Sequence, residues 1–80
     1  MLSELSGSSK VVGAKQTKRA LTGGNAAAVY LAEDADPRVT EAIRELCAER
    51  GVPVCDVPSM KELGKACGIS VGAAVAARIR

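Results

Sequence analysis

The sequence predicts an α/β fold, a three-layer α/β/α sandwich, and two observations predict it. From Lys10 to the C-terminal residue, apolar runs of strand length alternate with segments that carry helix periodicity and helix caps, the pattern that places helices on both faces of a sheet. The 80 residues are 48% apolar, drawn mostly from Ala, Val, Leu and Ile, with no Phe or Trp and with Tyr30 as the one aromatic. The layers must therefore be close and built from small side chains. A chain of this length buries only a little over ~60% of its unfolded surface, so one core and one domain over the whole chain are expected.

Leu2 and Leu5 among small polar residues fit a short helix or an arm over residues 1–9. Lys10-Val11-Val12-Gly13 then reads as a short strand, and Ala14 to Leu21 as a helix stopped by Gly23-Gly24-Asn25. Ala28-Val29-Tyr30-Leu31-Ala32 has the length and composition of a strand buried on both faces. Asp36 can cap the next helix and Pro37 suits its first position, where a missing N–H costs nothing. Val39, Ile43, Leu46 and Cys47 follow at the spacing of one helical face, and Gly51 closes the helix. Val52 to Val57 is predicted as a strand. Ser59 and Glu62 form a capping box for a helix to about Cys67, ended by Gly68. The stretch Ala73 to Ile79 is rich in Ala, but Val71, Ala73, Val75, Ala77 and Ile79 alternate, which favours a last strand after an Ile69-Ser70-Val71-Gly72 loop.

Composition excludes several classes of function. No apolar run approaches the ~20 residues of a membrane span and the N-terminal segment is not a signal peptide, so a cytosolic chain is expected. Cys47, Cys55 and Cys67 are an odd number with no CxxC pair and no His in the sequence. A disulfide framework, a zinc site and a Cys–His nucleophile all lack support, and three reduced, buried thiols are expected. The net charge of +2 is unevenly spread: residues 10–32 carry Lys10, Lys15, Lys18 and Arg19 without an acid, residues 33–50 carry six acids against three Arg, and residues 61–80 carry four basic groups against Glu62.

The Gly13–Arg19 stretch is the most informative. Its basic side chains fall in or near the first turns of a predicted helix, where the helix dipole disfavours a cation by roughly 0.3–1 kcal/mol. An anion bound at those amides and cations would remove the conflict; lysines swung into solvent would do so with no function at all. A nucleotide fingerprint, GxGxxG or GxxxxGK[ST], is absent and no cofactor is implied. The near absence of aromatics argues against modules that stack splayed single-stranded bases. Recognition of a folded nucleic acid by shape, phosphates and a few polar groups such as Gln16 remains. In the loop, Ile69 and Val71 either plug the core or cover an unstacked nucleotide, with Gly68 and Gly72 alongside.

Val12-Gly13-Ala14-Lys15-Gln16-Thr17, Ala32-Glu33-Asp34-Ala35-Asp36-Pro37 and Leu63-Gly64-Lys65-Ala66-Cys67-Gly68-Ile69-Ser70-Val71-Gly72-Ala73 resemble the three signature stretches of the kink-turn-binding ribosomal proteins, above all their small bacterial YbxF-type members. The resemblance covers essentially the whole chain. It implies a mixed four-stranded sheet between helices, and a helix start that enters the widened major groove of a kink-turn at its tandem sheared G·A pairs. By motif position it places Gly13, Lys15, Gln16 and Arg19 at the RNA with Lys18 beside them, Ile69, Ser70 and Val71 on the extruded nucleotide, and Glu33 at the matching end of the second strand. Two departures bear on base contacts. Many archaeal and eukaryotic relatives carry Asn-Glu where this chain has Lys15-Gln16, and close bacterial relatives carry an acid where it has Ser70.

The expectation is thus an RNA-binding protein, monomeric and possessing no metal, membrane or small-molecule partner, whose target is a kink-turn in ribosomal RNA or a riboswitch-type element. Cytoplasmic localisation with ribosome association goes with it. A different class, a ribosome-associated regulatory or protein-interaction domain working through the acidic helix that starts at Asp36, is the competing expectation. An enzyme is not expected: there is no His, and the clustered acids Glu33, Asp34 and Asp36 fall where a strand ends and a helix is capped.

Overall fold

Four strands form where the apolar runs lie, β1 (Lys10–Val12), β2 (Ala26–Ala32), β3 (Val54–Val57) and β4 (Val75–Ile79), and three helices connect them, α1 (Ala14–Thr22), α2 (Pro37–Arg50) and α3 (Met60–Ala66). The computed structural model describes residues 9–80. Of the N-terminal segment read as a helix or an arm over residues 1–9, residues 1–8 lie outside the described part.

The sheet order is β1-β4-β2-β3. β4 runs antiparallel to both β1 and β2, while β2 and β3 are parallel and α2 crosses between them. Hence the sheet is mixed, as the resemblance implies. Alternation along the strands sends Val29, Leu31, Val75 and Ala77 into one core cluster with Leu21, Ile43 and Cys47, and Tyr30, Ala32 and Ala76 into another with Leu63 and Cys67. α1 and α2 cover the first face and α3 the second, which gives the three layers. Ile43 and Leu63 are fully buried, and each anchors its helix by roughly 1.5–3 kcal/mol.

The Asp36 cap acts as read from sequence, and of the Ser59–Glu62 capping box the Ser59 half is observed. Asp36 accepts from Arg38 N at 2.9 Å, Pro37 follows it, and Ser59 Oγ accepts from Glu62 N at 3.1 Å. Three boundaries differ from expectation. β3 begins at Val54 because Val52 N still donates to Cys47 O, in the turn that closes α2. β4 begins at Val75 because Ala73 N turns aside to Met60 O. β2 starts earlier, at Ala26, where it pairs with Ile79 beside a bulge. Cys47 and Cys67 are buried, and burial pushes both thiols up from the ordinary value. Cys55 is only half-buried, because it lies on the edge strand β3. Among the described residues no helix is long and apolar enough to cross a membrane, and no group of His, Cys, Asp and Glu could hold a metal.

Candidate nucleic-acid interface

β4 brings distant parts of the chain to one end of the sheet. Val75 O accepts from Gly13 N at 2.8 Å, and Ala74 O accepts from Ala32 N at 3.0 Å. The start of α1, the end of β2 with Glu33, and the loop that leads into β4 therefore share that end.

Gly13 is the hinge into α1. Its φ of 102° and ψ of 154° lie in a region open essentially to glycine alone. This conformation lets Gly13 N reach Val75 while Gly13 O accepts the first helical bond, from Thr17 N at 3.0 Å. The amides of the first turn consequently have no partner within the helix. No side chain caps them and no acid lies in that turn, so the positive end of the helix is not neutralised. Thr17, Ala20 and Leu21 pack inward, leaving Lys15, Gln16, Lys18 and Arg19 exposed. Lys15, Lys18 and Arg19 follow i, i+3, i+4 spacing and share a face.

Arg19 corrects one premise. It sits in the last turn of α1, where a cation suits the dipole. The conflict read from sequence is thus concentrated at Lys15, in the first turn. Arg19 and Gln16 instead border a hollow of about 280 Å³ with Val11, Ala20, Asn25 and Ile79, on the flank of α1 toward β1.

The second feature is the loop after α3. Ile69 N donates to Gly64 O at 3.1 Å and Ala73 N to Met60 O at 3.0 Å, so the loop is laced to the helix backbone. Gly64 permits this: a Cβ there would run into the Val71 carbonyl oxygen. At Gly72 a Cβ would stand 3.2 Å from the Met60 Cβ, so this glycine serves the packing of loop on helix. Ile69 and Val71 do not plug the core; they are 36% and 69% exposed, with Ser70 exposed between them. Of the two sequence readings of this loop, the structure favours a presented apolar surface.

Glu33 is exposed, held by a backbone bond from its N to Val57 O at 2.8 Å. Its neighbour Asp34 has a role that sequence reasoning missed. Asp34 Oδ1 accepts from Met60 N at 2.7 Å, tying the end of β2 to the start of α3 and putting a negative charge at that helix's positive end. Lys61 and Lys65, at i, i+4 spacing just before the loop, are exposed on the same helix.

Ion pairing divides the surface. Ion pairs among the described residues include Arg38–Asp36 at 2.9 Å and Arg44–Asp56 at 2.7 Å, both made by arginines of α2. Arg38 holds the Asp36 carboxyl below its ordinary value, and Asp56 raises the Arg44 guanidinium. Lys15, Lys18, Arg19, Lys61 and Lys65 take no part in those pairs and remain available to an anion.

Residues 5–80 match the model of the Ribosomal protein L7Ae/L30e/S12e/Gadd45 family. An RNA-binding protein of Geobacillus sp. (strain WCH70) is 57% identical over 70 residues, 88% of this chain and 85% of that one. RNA-binding protein YbxF of Geobacillus stearothermophilus is 53% identical over the same shares of the two chains. Large ribosomal subunit protein eL8 of Halobacterium salinarum is 42% identical over 66 residues, 81% of this chain and 55% of that one. Among solved structures, the Giardia lamblia 15.5kD RNA binding protein superposes with a TM-score of 0.89 at 28% identity, covering 99% of this chain and 68% of that one.

Proposed function

We propose, since the chain belongs to the Ribosomal protein L7Ae/L30e/S12e/Gadd45 family, that it is an RNA-binding protein which recognises and stabilises kink-turn RNA. The observation that carries this reading is the uncapped, acid-free start of α1 at the same end of the sheet as an exposed apolar loop. A bent helix-bulge-helix offers what such a surface takes: phosphates and base edges for one feature, and an extruded nucleotide for the other. In this reading the amides after Gly13, with Lys15, Gln16, Lys18 and Arg19, engage the groove at the sheared G·A pairs. Ile69, Ser70 and Val71 cover the extruded nucleotide, and Glu33 borders the site as a hydrogen-bond acceptor. The names of the relatives support RNA as the partner.

The protein acts as one RNA-binding unit, as a monomer and without catalysis, in the cytoplasm on ribosomal RNA or on a riboswitch-type element. A gel shift compares a kink-turn duplex with the same duplex whose G·A pairs are changed to Watson–Crick pairs. Marked preference for the kink-turn is expected, and Lys15→Ala with Gln16→Ala should erase most of it. Equal affinity of the unaltered protein for both duplexes would end the kink-turn reading.

A further inference from the structure

We propose that Lys61 and Lys65 form a phosphate-binding wall beside the Ile69–Val71 loop, so that the groove between them holds one whole extruded nucleotide, base and phosphate. The inference rests on the kink-turn reading above and adds to it a second electrostatic contact, separate from α1.

The groove encloses about 520 Å³ and is lined by Asp34, Met60, Lys61, Lys65 and the 69–72 loop. That volume lies within the range of roughly 300–1,000 Å³ typical of sites for small ligands. Its two walls differ in chemistry. The loop side presents Ile69 and Val71, the exposed large hydrophobic residues of the described chain, and can lie against the face of a base in place of an aromatic ring. The helix side presents two exposed ammonium groups one turn apart. Like charges at i, i+4 repel each other by about 0.2–0.5 kcal/mol, and an anion between them reverses the sign.

Among the described residues none supplies that anion. Neither lysine takes part in the ion pairs of the described residues. The acid that lines the groove, Asp34, is directed to the amide of Met60 at 2.7 Å and so serves the start of α3. The backbone contacts that pack the loop on Gly64 and Met60 fix the spacing of the two walls before RNA arrives.

The test is the salt dependence of binding. Each phosphate neutralised contributes about 0.7–0.9 to the slope of log K against log salt. For Lys61→Gln with Lys65→Gln, the slope for the kink-turn duplex is expected to fall by about 0.7–0.9, the share of one phosphate, which between 50 and 200 mM salt changes the ratio of wild-type to variant affinity by about 2.6- to 3.5-fold. Preference for the kink-turn over its Watson–Crick control should persist, Lys61→Arg with Lys65→Arg should keep the slope, and thermal melting should be unchanged because both side chains are exposed. Uncharged methylphosphonates flanking the extruded nucleotide should weaken the wild type as the Gln variant is weakened, with little further loss when the two are combined. An unchanged slope, or losses that simply add, overturns the inference while leaving the kink-turn reading in place. A wild-type protein that binds both duplexes alike overturns both together, and the control duplex tells the two failures apart.

Discussion

At Gly13 one dihedral angle connects fold and site. The residue's φ of 102° lets its N–H bond to β4 while its carbonyl starts α1. Nothing stands within 4 Å of a Cβ built there, so Gly13→Ala is opposed by backbone strain alone, about 1–3 kcal/mol. We expect the urea midpoint to fall accordingly with an unchanged m-value, and RNA affinity to fall beyond what the lost stability explains, because relieving the strain re-aims the first-turn amides. Full affinity in a destabilised protein would show that those amides do not touch the ligand. The glycine was legible in the sequence as a strand-to-helix junction; its dihedral was not, since a turn glycine and a hinge glycine look alike in one dimension. Arg19 shows the opposite limit. A run of cations was read as marking the helix start, although the expected end at Leu21, one residue short of the observed Thr22, already implied a helix so short that Arg19 falls in its last turn.

Elements were more legible than their ends. Caps, which are local in sequence, gave the starts of α2 and α3 at Asp36 and Ser59. Period-two alternation correctly made the Ala-rich C-terminal stretch a strand, against its helix propensity. What the sequence could not show is contact between elements: that Ala73 N turns to Met60 O, or that Asp34 reaches across 26 positions to Met60 N. Gly64 illustrates the difference. Inside α3 it should cost up to about 1 kcal/mol relative to Ala, so a reading of the helix alone favours Gly64→Ala as stabilising. The structure reverses that sign, because the new methyl meets the Val71 carbonyl oxygen. Overpacking of this kind costs typically about 1–3 kcal/mol, and the backbone atom it strikes must move with its loop. The variant should melt lower and bind the kink-turn duplex more weakly while keeping the wild-type salt slope, since no charge is removed. A higher melting temperature would show that the loop yields freely and is not pre-positioned by α3.

Across the whole molecule, a net charge of +2 conceals a division that matters more than the total. The cations of α1 and α3 stand outside the observed ion pairs, whereas Arg38 and Arg44 of α2 are paired with Asp36 and Asp56. The exposed Glu41 and Glu45 leave the outer surface of α2 acidic. Such a surface either binds a partner of its own or simply solvates a helix, and charge reversal separates the two. Glu41→Lys with Glu45→Lys raises the net charge by four without altering α1, the 69–72 loop or the groove of α3. If RNA is bound at the other two features, preference for a kink-turn over its Watson–Crick control is unchanged. Long-range attraction should still speed association at low salt, and this gain should fade as the Debye length shortens from about 30 Å at 0.01 M to about 8 Å at 0.15 M. Stopped-flow association at those two salt concentrations, alongside equilibrium titration of both duplexes, reads the two effects separately. A loss of kink-turn preference in this variant, with Lys15→Ala and Gln16→Ala silent, would move the interface to α2 and make the acidic helix the working surface of the protein.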